Sequence, residues 1–86
     1  MSLTLRTDVT ATDTGAGMVL LDQRGGRYWQ LNPAGATVLR LLLDGRSPQE
    51  VAERLARDSS VAAERALSDV RTLVDALSEA RLVVAS

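Results

Sequence analysis

Few side chains in this sequence can move a proton, attack an electrophile or hold a metal. The inventory is carboxylates, arginines, hydroxyls and one tyrosine; histidine, cysteine and lysine are absent. Lack of histidine removes the commonest general base and metal ligand, and lack of cysteine excludes thiolate sites and disulfides. Asp22, Asp44, Asp58 and Asp69 fall at expected turns or exposed helix positions, where carboxylates act as caps and solvated charges. Ser59 and Ser60 have no histidine or lysine to activate them, so nucleophilic catalysis is unsupported. Gly15-Ala16-Gly17 is followed by neither a helix start nor a lysine and is not a phosphate loop. The residue types point away from an enzyme, a metal centre or a cofactor.

The remaining chemistry is that of surfaces. The 86 residues make one domain, 1–86, with 45% apolar residues to fill a small core. Net charge is −1, with acids and arginines mixed along the chain, so there is no net electrostatic pull towards nucleic acid or an anionic membrane. The first six residues lack the regions of a signal peptide, and the longest apolar run, Leu41-Leu42-Leu43, is far too short for a bilayer. The expectation is a cytoplasmic protein with no membrane partner.

The elements that position such a surface centre on Arg27-Tyr28-Trp29-Gln30-Leu31, which holds the only two aromatic residues. Alternation makes it a strand with Arg27, Trp29 and Leu31 on one face and Tyr28 and Gln30 on the other. Asn32-Pro33 ends it and opens a helix, Asn as N-cap and Pro at the first position. Upstream, residues 3–12 alternate as one half-buried strand, and Asp13 to Gly17 turn. Met18 to Asp22 is apolar on both faces, which suits a strand covered on both sides, and Gly25-Gly26 closes a hairpin. Downstream, a first helix runs from about Pro33 to Leu43 and stops at Asp44-Gly45. Ser47-Pro48-Gln49-Glu50 is a capping box opening a second helix, and a third spans about Val61 to Ala80. On the third, Leu67, Val70, Val74 and Leu77 form one stripe, and Ala62, Ala66, Asp69, Leu73, Ala76 and Ala80 a second beside it. Glu64, Arg65, Ser68, Arg71, Thr72, Asp75, Ser78 and Glu79 make the opposite side wholly polar. Leu82 to Val84 is a short apolar cap. The predicted fold is α+β and winged helix-turn-helix-like, a three-stranded antiparallel β-meander followed by three α-helices.

A winged-helix outline raises DNA binding by a small regulator, but the third helix interleaves Arg65 and Arg71 with Glu64, Asp75 and Glu79 instead of concentrating a basic face. A meander also leaves an edge of unpaired N–H and C=O groups, a template for an added peptide strand or for a second copy of the chain. If strand 27–31 is that edge, the alanine-leucine strip is the floor of a shallow groove with Leu73 as an apolar contact. The same alanines equally serve close helix packing, and Tyr28 and Trp29 a core.

The ordered set Val19-Leu20-Leu21-Asp22, Gly26-Arg27-Tyr28-Trp29-Gln30-Leu31-Asn32 and Leu42-Leu43-Asp44-Gly45 resembles the PqqD-like family of RiPP recognition elements. The spacing Val51…Leu55, then Asp69-Val70…Leu73…Leu77…Leu82-Val83, fits it too. The Tyr-Trp-Gln-Leu-Asn form looks most like the stand-alone proteins of lasso-peptide biosynthesis. That resemblance implies a non-enzymatic protein that binds the leader of a ribosomal precursor and presents it to a leader-cleaving cysteine protease and an ATP-dependent macrolactam synthetase. It implies a leader, often bearing Tyr-x-x-Pro, that pairs antiparallel with Arg27, Tyr28, Trp29, Gln30 and Leu31. The groove wall would be Ala66, Asp69, Val70, Leu73 and Leu77, with Leu31, Val70 and Leu77 leaning towards core.

Overall fold

The computed structural model describes residues 2–85, without the Ser59 side chain, so that candidate hydroxyl lies outside what is described. In chain order the elements are β1 (Leu3–Leu5), β2 (Val9–Asp13), β3 (Met18–Asp22), β4 (Arg27–Leu31), α1 (Pro33–Leu43), α2 (Pro48–Ser59), α3 (Ala63–Glu79) and β5 (Val83–Ala85).

Local chemistry sets most of these boundaries. Asn32 is extended and its Oδ1 accepts the Gly35 N–H at 2.7 Å, with Pro33 opening α1 behind it. The helix ends in a Schellman turn: the Arg46 N–H donates to the Leu41 carbonyl and the Gly45 N–H to the Leu42 carbonyl, both at 3.1 Å. Gly45 takes the left-handed position at φ 97, where a Cβ would be strained. At the start of α2 the capping box is reciprocal: Ser47 Oγ accepts the Glu50 N–H at 3.1 Å and Glu50 Oε1 accepts the Ser47 N–H at 3.0 Å. That backbone N–H, with the Ser47 hydroxyl and nearby Arg46, holds the Glu50 carboxyl below its ordinary range.

The meander is the sheet β2-β3-β4, antiparallel throughout, with Leu20 opposite Trp29 and Met18 opposite Leu31. The predicted α+β, winged-helix-like order of a meander followed by three helices is therefore correct. Two expectations need correction. Residues 3–12 are not one strand. The chain turns at Arg6–Asp8, where the Val9 N–H donates to the Arg6 carbonyl at 3.0 Å, and β1 leaves the meander. It pairs instead with β5, Leu3 opposite Ala85 and Leu5 opposite Val83, so the apolar cap expected at the C-terminal end is a strand. Alternation runs unbroken through the turn because Leu3, Leu5 and Val9 are all inward at odd positions. Only pairing with residues 80 positions away reveals the split.

The second correction concerns β3. Met18 and Leu20 are buried, but Leu21 is 39% exposed and Val19 half-buried, so the outer face of the meander is uncovered. One core collects the inner face of the meander, the apolar faces of the helices and the β1–β5 ribbon. Leu20, Leu39, Leu42, Val51, Val70 and Leu77 are its largest fully buried members. Arg40 ties α1 to the end of β2, its Nη2 2.7 Å from Asp13 Oδ1.

Candidate functional site

β4 lies at one edge of its sheet, bonded to β3 on one side only. Its position is set at both ends. At the hairpin end the Asp22 Oδ1 accepts the Gly25 N–H at 3.1 Å and the Arg24 N–H at 3.2 Å, and its Oδ2 pairs with Arg27 at 3.3 Å. The Gly25 N–H, followed by Arg27, lowers the Asp22 carboxyl below its ordinary value. At the other end, the β2–β3 turn presses on the strand. A side chain's first carbon on Gly17, which sits at φ 142, would overlap the Leu31 carbonyl oxygen. Glycine is needed there because two backbones approach too closely for any Cβ.

The faces of β4 divide as alternation predicts. Leu31 is buried, while Tyr28, opposite Leu21 on the outer face, is 73% exposed. Trp29, on the inner face opposite Leu20, remains 39% exposed. Both aromatics are exposed, so the core reading left open by the pattern does not hold for them. Gln30 is exposed on the outer face beside Tyr28.

Along α3 the two stripes separate by depth. Ala66, Val70, Val74 and Leu77 are buried; Leu67, Leu73, Ala76 and Ala80 are half-buried; Asp69 is exposed. Of the residues singled out from sequence, Leu31, Ala66, Val70 and Leu77 are thus buried side chains. Leu73 reaches the surface while packing against the core. The polar side runs as expected, with Glu64, Arg65, Ser68, Arg71, Thr72, Asp75, Ser78 and Glu79 all exposed.

One contact joins α3 to β4 that no sequence pattern predicts. Arg27 Nη2 donates to the Ala80 carbonyl at 3.1 Å, at the C-terminal end of α3 where uncapped carbonyls favour a cation. The carboxylates named from sequence are structural or solvated. Asp22 braces the hairpin, Asp44 is the C-cap of α1 and Asp58 pairs with Arg54 at 3.2 Å. Among the described residues no cluster of three or more acids could hold a metal, and no helix is long and apolar enough to cross a membrane.

The family model for coenzyme PQQ synthesis protein D (PqqD) matches residues 17–83, from the turn before β3 to the start of β5. The chain belongs to the PqqD family. The matched span holds β3, the β4 edge, all three helices and both ends of the Arg27–Ala80 contact. Among solved structures, a lasso peptide synthetase B1 complexed with the leader peptide is 39% identical to this PqqD-family chain. That likeness covers 99% of this chain and 100% of the other, with a TM-score of 0.94. TbiB1, in complex with the TbiA(beta) leader peptide, shares the fold at 24% identity and a TM-score of 0.87, over 100% of this chain and 98% of its own. No curated protein matches the sequence.

Proposed function

We propose that this protein binds the leader segment of a lasso-peptide precursor by antiparallel strand addition to β4. The observation that carries this reading is the 39% identical, fully overlapping relative, a lasso peptide synthetase B1 complexed with a leader peptide. The open β4 edge agrees with it. Main-chain groups of Arg27 to Leu31 supply affinity without demanding a sequence, and side chains beside the edge read the peptide. Trp29 and Leu73 supply apolar contact for a Tyr-x-x-Pro motif, and Asp69 a carboxylate at the rim. Leu31, Ala66, Val70 and Leu77 hold those contacts from behind. The role is non-enzymatic and needs no cofactor: the bound leader is handed to a leader-cleaving cysteine protease and an ATP-dependent macrolactam synthetase, which do the chemistry.

Trp29 provides the test. It is the only tryptophan and is partly exposed on β4, so its emission responds to a strand laid beside it. Titration with a synthetic leader bearing Tyr-x-x-Pro is expected to give a saturable change, weakened by a Tyr→Ala peptide and absent with a short DNA duplex. A response to the duplex alone would overturn the proposal in favour of a winged-helix DNA binder.

A further inference from the structure

Beyond the Arg27–Ala80 contact, on the hairpin side, lies a cleft of about 740 Å³ between the β1–β2 turn, the β3–β4 hairpin and the turn joining α3 to β5. Its charged lining is Arg6, Arg24, Arg27 and Arg81 against Asp8 and Asp22, a surplus of positive charge in a chain whose net charge is −1. The two aspartates are already engaged, Asp22 by Arg27 at 3.3 Å and Asp8 by Arg24 at 3.7 Å. Arg6 and Arg81 have no side-chain partner among the described residues, and both are exposed. They are held near each other, since the Arg6 N–H donates to the Leu82 carbonyl at 3.1 Å.

Arg81 carries a further mark. It takes the left-handed position of the Schellman turn that ends α3, at φ 60, where glycine is the usual residue. A long cationic side chain stands there at a conformational cost.

We propose that this cleft receives acidic side chains of the same peptide that pairs with β4, at residues just C-terminal to the paired stretch. The inference rests on the strand-addition reading. Arg27 is both the first residue of β4 and part of the cleft wall. A strand antiparallel to β4 therefore delivers its C-terminal flank to the cleft within a few residues, at about 3.3 Å of advance each. Carboxylates there meet two unpaired guanidinium groups, which bind them through paired N–H donors.

Two synthetic leaders test this, identical through the Tyr-x-x-Pro stretch and carrying Glu-Glu-Glu or Gln-Gln-Gln on the C-terminal flank. The glutamate peptide is expected to bind about three- to tenfold more tightly at low salt, the gain of two exposed ion pairs, and to lose that advantage at 1 M salt. In the Arg6→Ala/Arg81→Gly variant the advantage should vanish while the glutamine peptide binds as before. Arg81→Gly relieves the left-handed backbone, so an undiminished thermal midpoint for that single change shows that lost binding is not lost folding. Equal affinities on the unsubstituted protein, or an advantage that survives the double substitution, would overturn the cleft assignment alone. Failure of both peptides to bind the unsubstituted protein would overturn strand addition and the cleft assignment together.

Discussion

The Arg27 guanidinium spans 53 residues of sequence to reach the Ala80 carbonyl at 3.1 Å while holding Asp22 at 3.3 Å. One side chain thus ties the start of the β4 edge to the end of α3, the two elements between which a peptide is proposed to lie. Its energy is modest, because the Arg27 side chain is 62% exposed and solvent screens it. Its value is positional.

Arg27→Ala should therefore separate binding from stability. Global stability is expected to fall by less than about 1 kcal/mol, as for other exposed ion pairs. Leader affinity should fall by more, about tenfold, because the edge and the helix are no longer held in register. Arg27→Lys restores charge but not the forked geometry and should recover only part of the loss. Urea unfolding and Trp29 titration on the same samples check this; parallel losses in both would show that Arg27 acts only through stability.

Leu73→Glu tests the helix side. Leu73 is half-buried and packs against the core from the surface, so a glutamate can keep its stem in place and turn its carboxylate outward. Far-UV circular dichroism should be retained and leader binding should weaken at least about tenfold, the cost of placing a charge against an apolar contact. Unchanged affinity would move the peptide contact away from Leu73.

Gly17→Ala is expected to destabilise the fold although the residue lies in a turn. Its first carbon would overlap the Leu31 carbonyl oxygen, so either the β2–β3 turn or the end of β4 must shift. A loss of about 1–3 kcal/mol is the usual cost of such overpacking. Gly15→Ala offers a comparison, since it has open space around it but shares a positive φ of 68. Denaturant midpoints for the pair separate steric overlap from backbone strain; equal midpoints would mean that the Gly17 contact is relieved at no cost.

The pH response follows from Asp22. Its carboxyl is lowered, first by the Gly25 N–H and also by Arg27, so the folded state binds the proton less readily than the unfolded chain. The stability it contributes is fully present above the unfolded carboxylate value of about 4 and is lost as the pH falls through the lower folded value. Stability and leader affinity should be flat from about pH 5 to 8 and decline together below about pH 4. Asp22→Asn should flatten part of that acid decline in urea titrations. An unaltered decline would assign it to other carboxylates.

Much of this molecule is determined locally. Asn32-Pro33 and the Ser47–Glu50 capping box open helices, and Asp44-Gly45 closes one, through bonds to backbone groups within five residues, so their outcome is written in adjacent residues. The polar and apolar sides of α3 follow in the same way from a 3.6-residue period, which depends on the helix alone. Trp29 and Tyr28 were placed on opposite faces by alternation, but how deeply each is buried depends on what lies opposite.

Tertiary structure decided the rest. Residues 3–12 divide between two sheets because Leu3 and Leu5 find partners at Ala85 and Val83, a pairing that leaves no trace in alternation. The outer face of β3 stays open because no element among the described residues crosses it, although Leu21 alone reads as a buried position. Ala66 and Leu73 share one strip of α3 in projection, yet one is buried and the other half-buried, a difference in depth that a helical projection does not carry. The Arg27 bridge and the Arg6–Arg81 juxtaposition are invisible for the same physical reason. Each brings together groups far apart along the chain, and their proximity exists only once the core has formed.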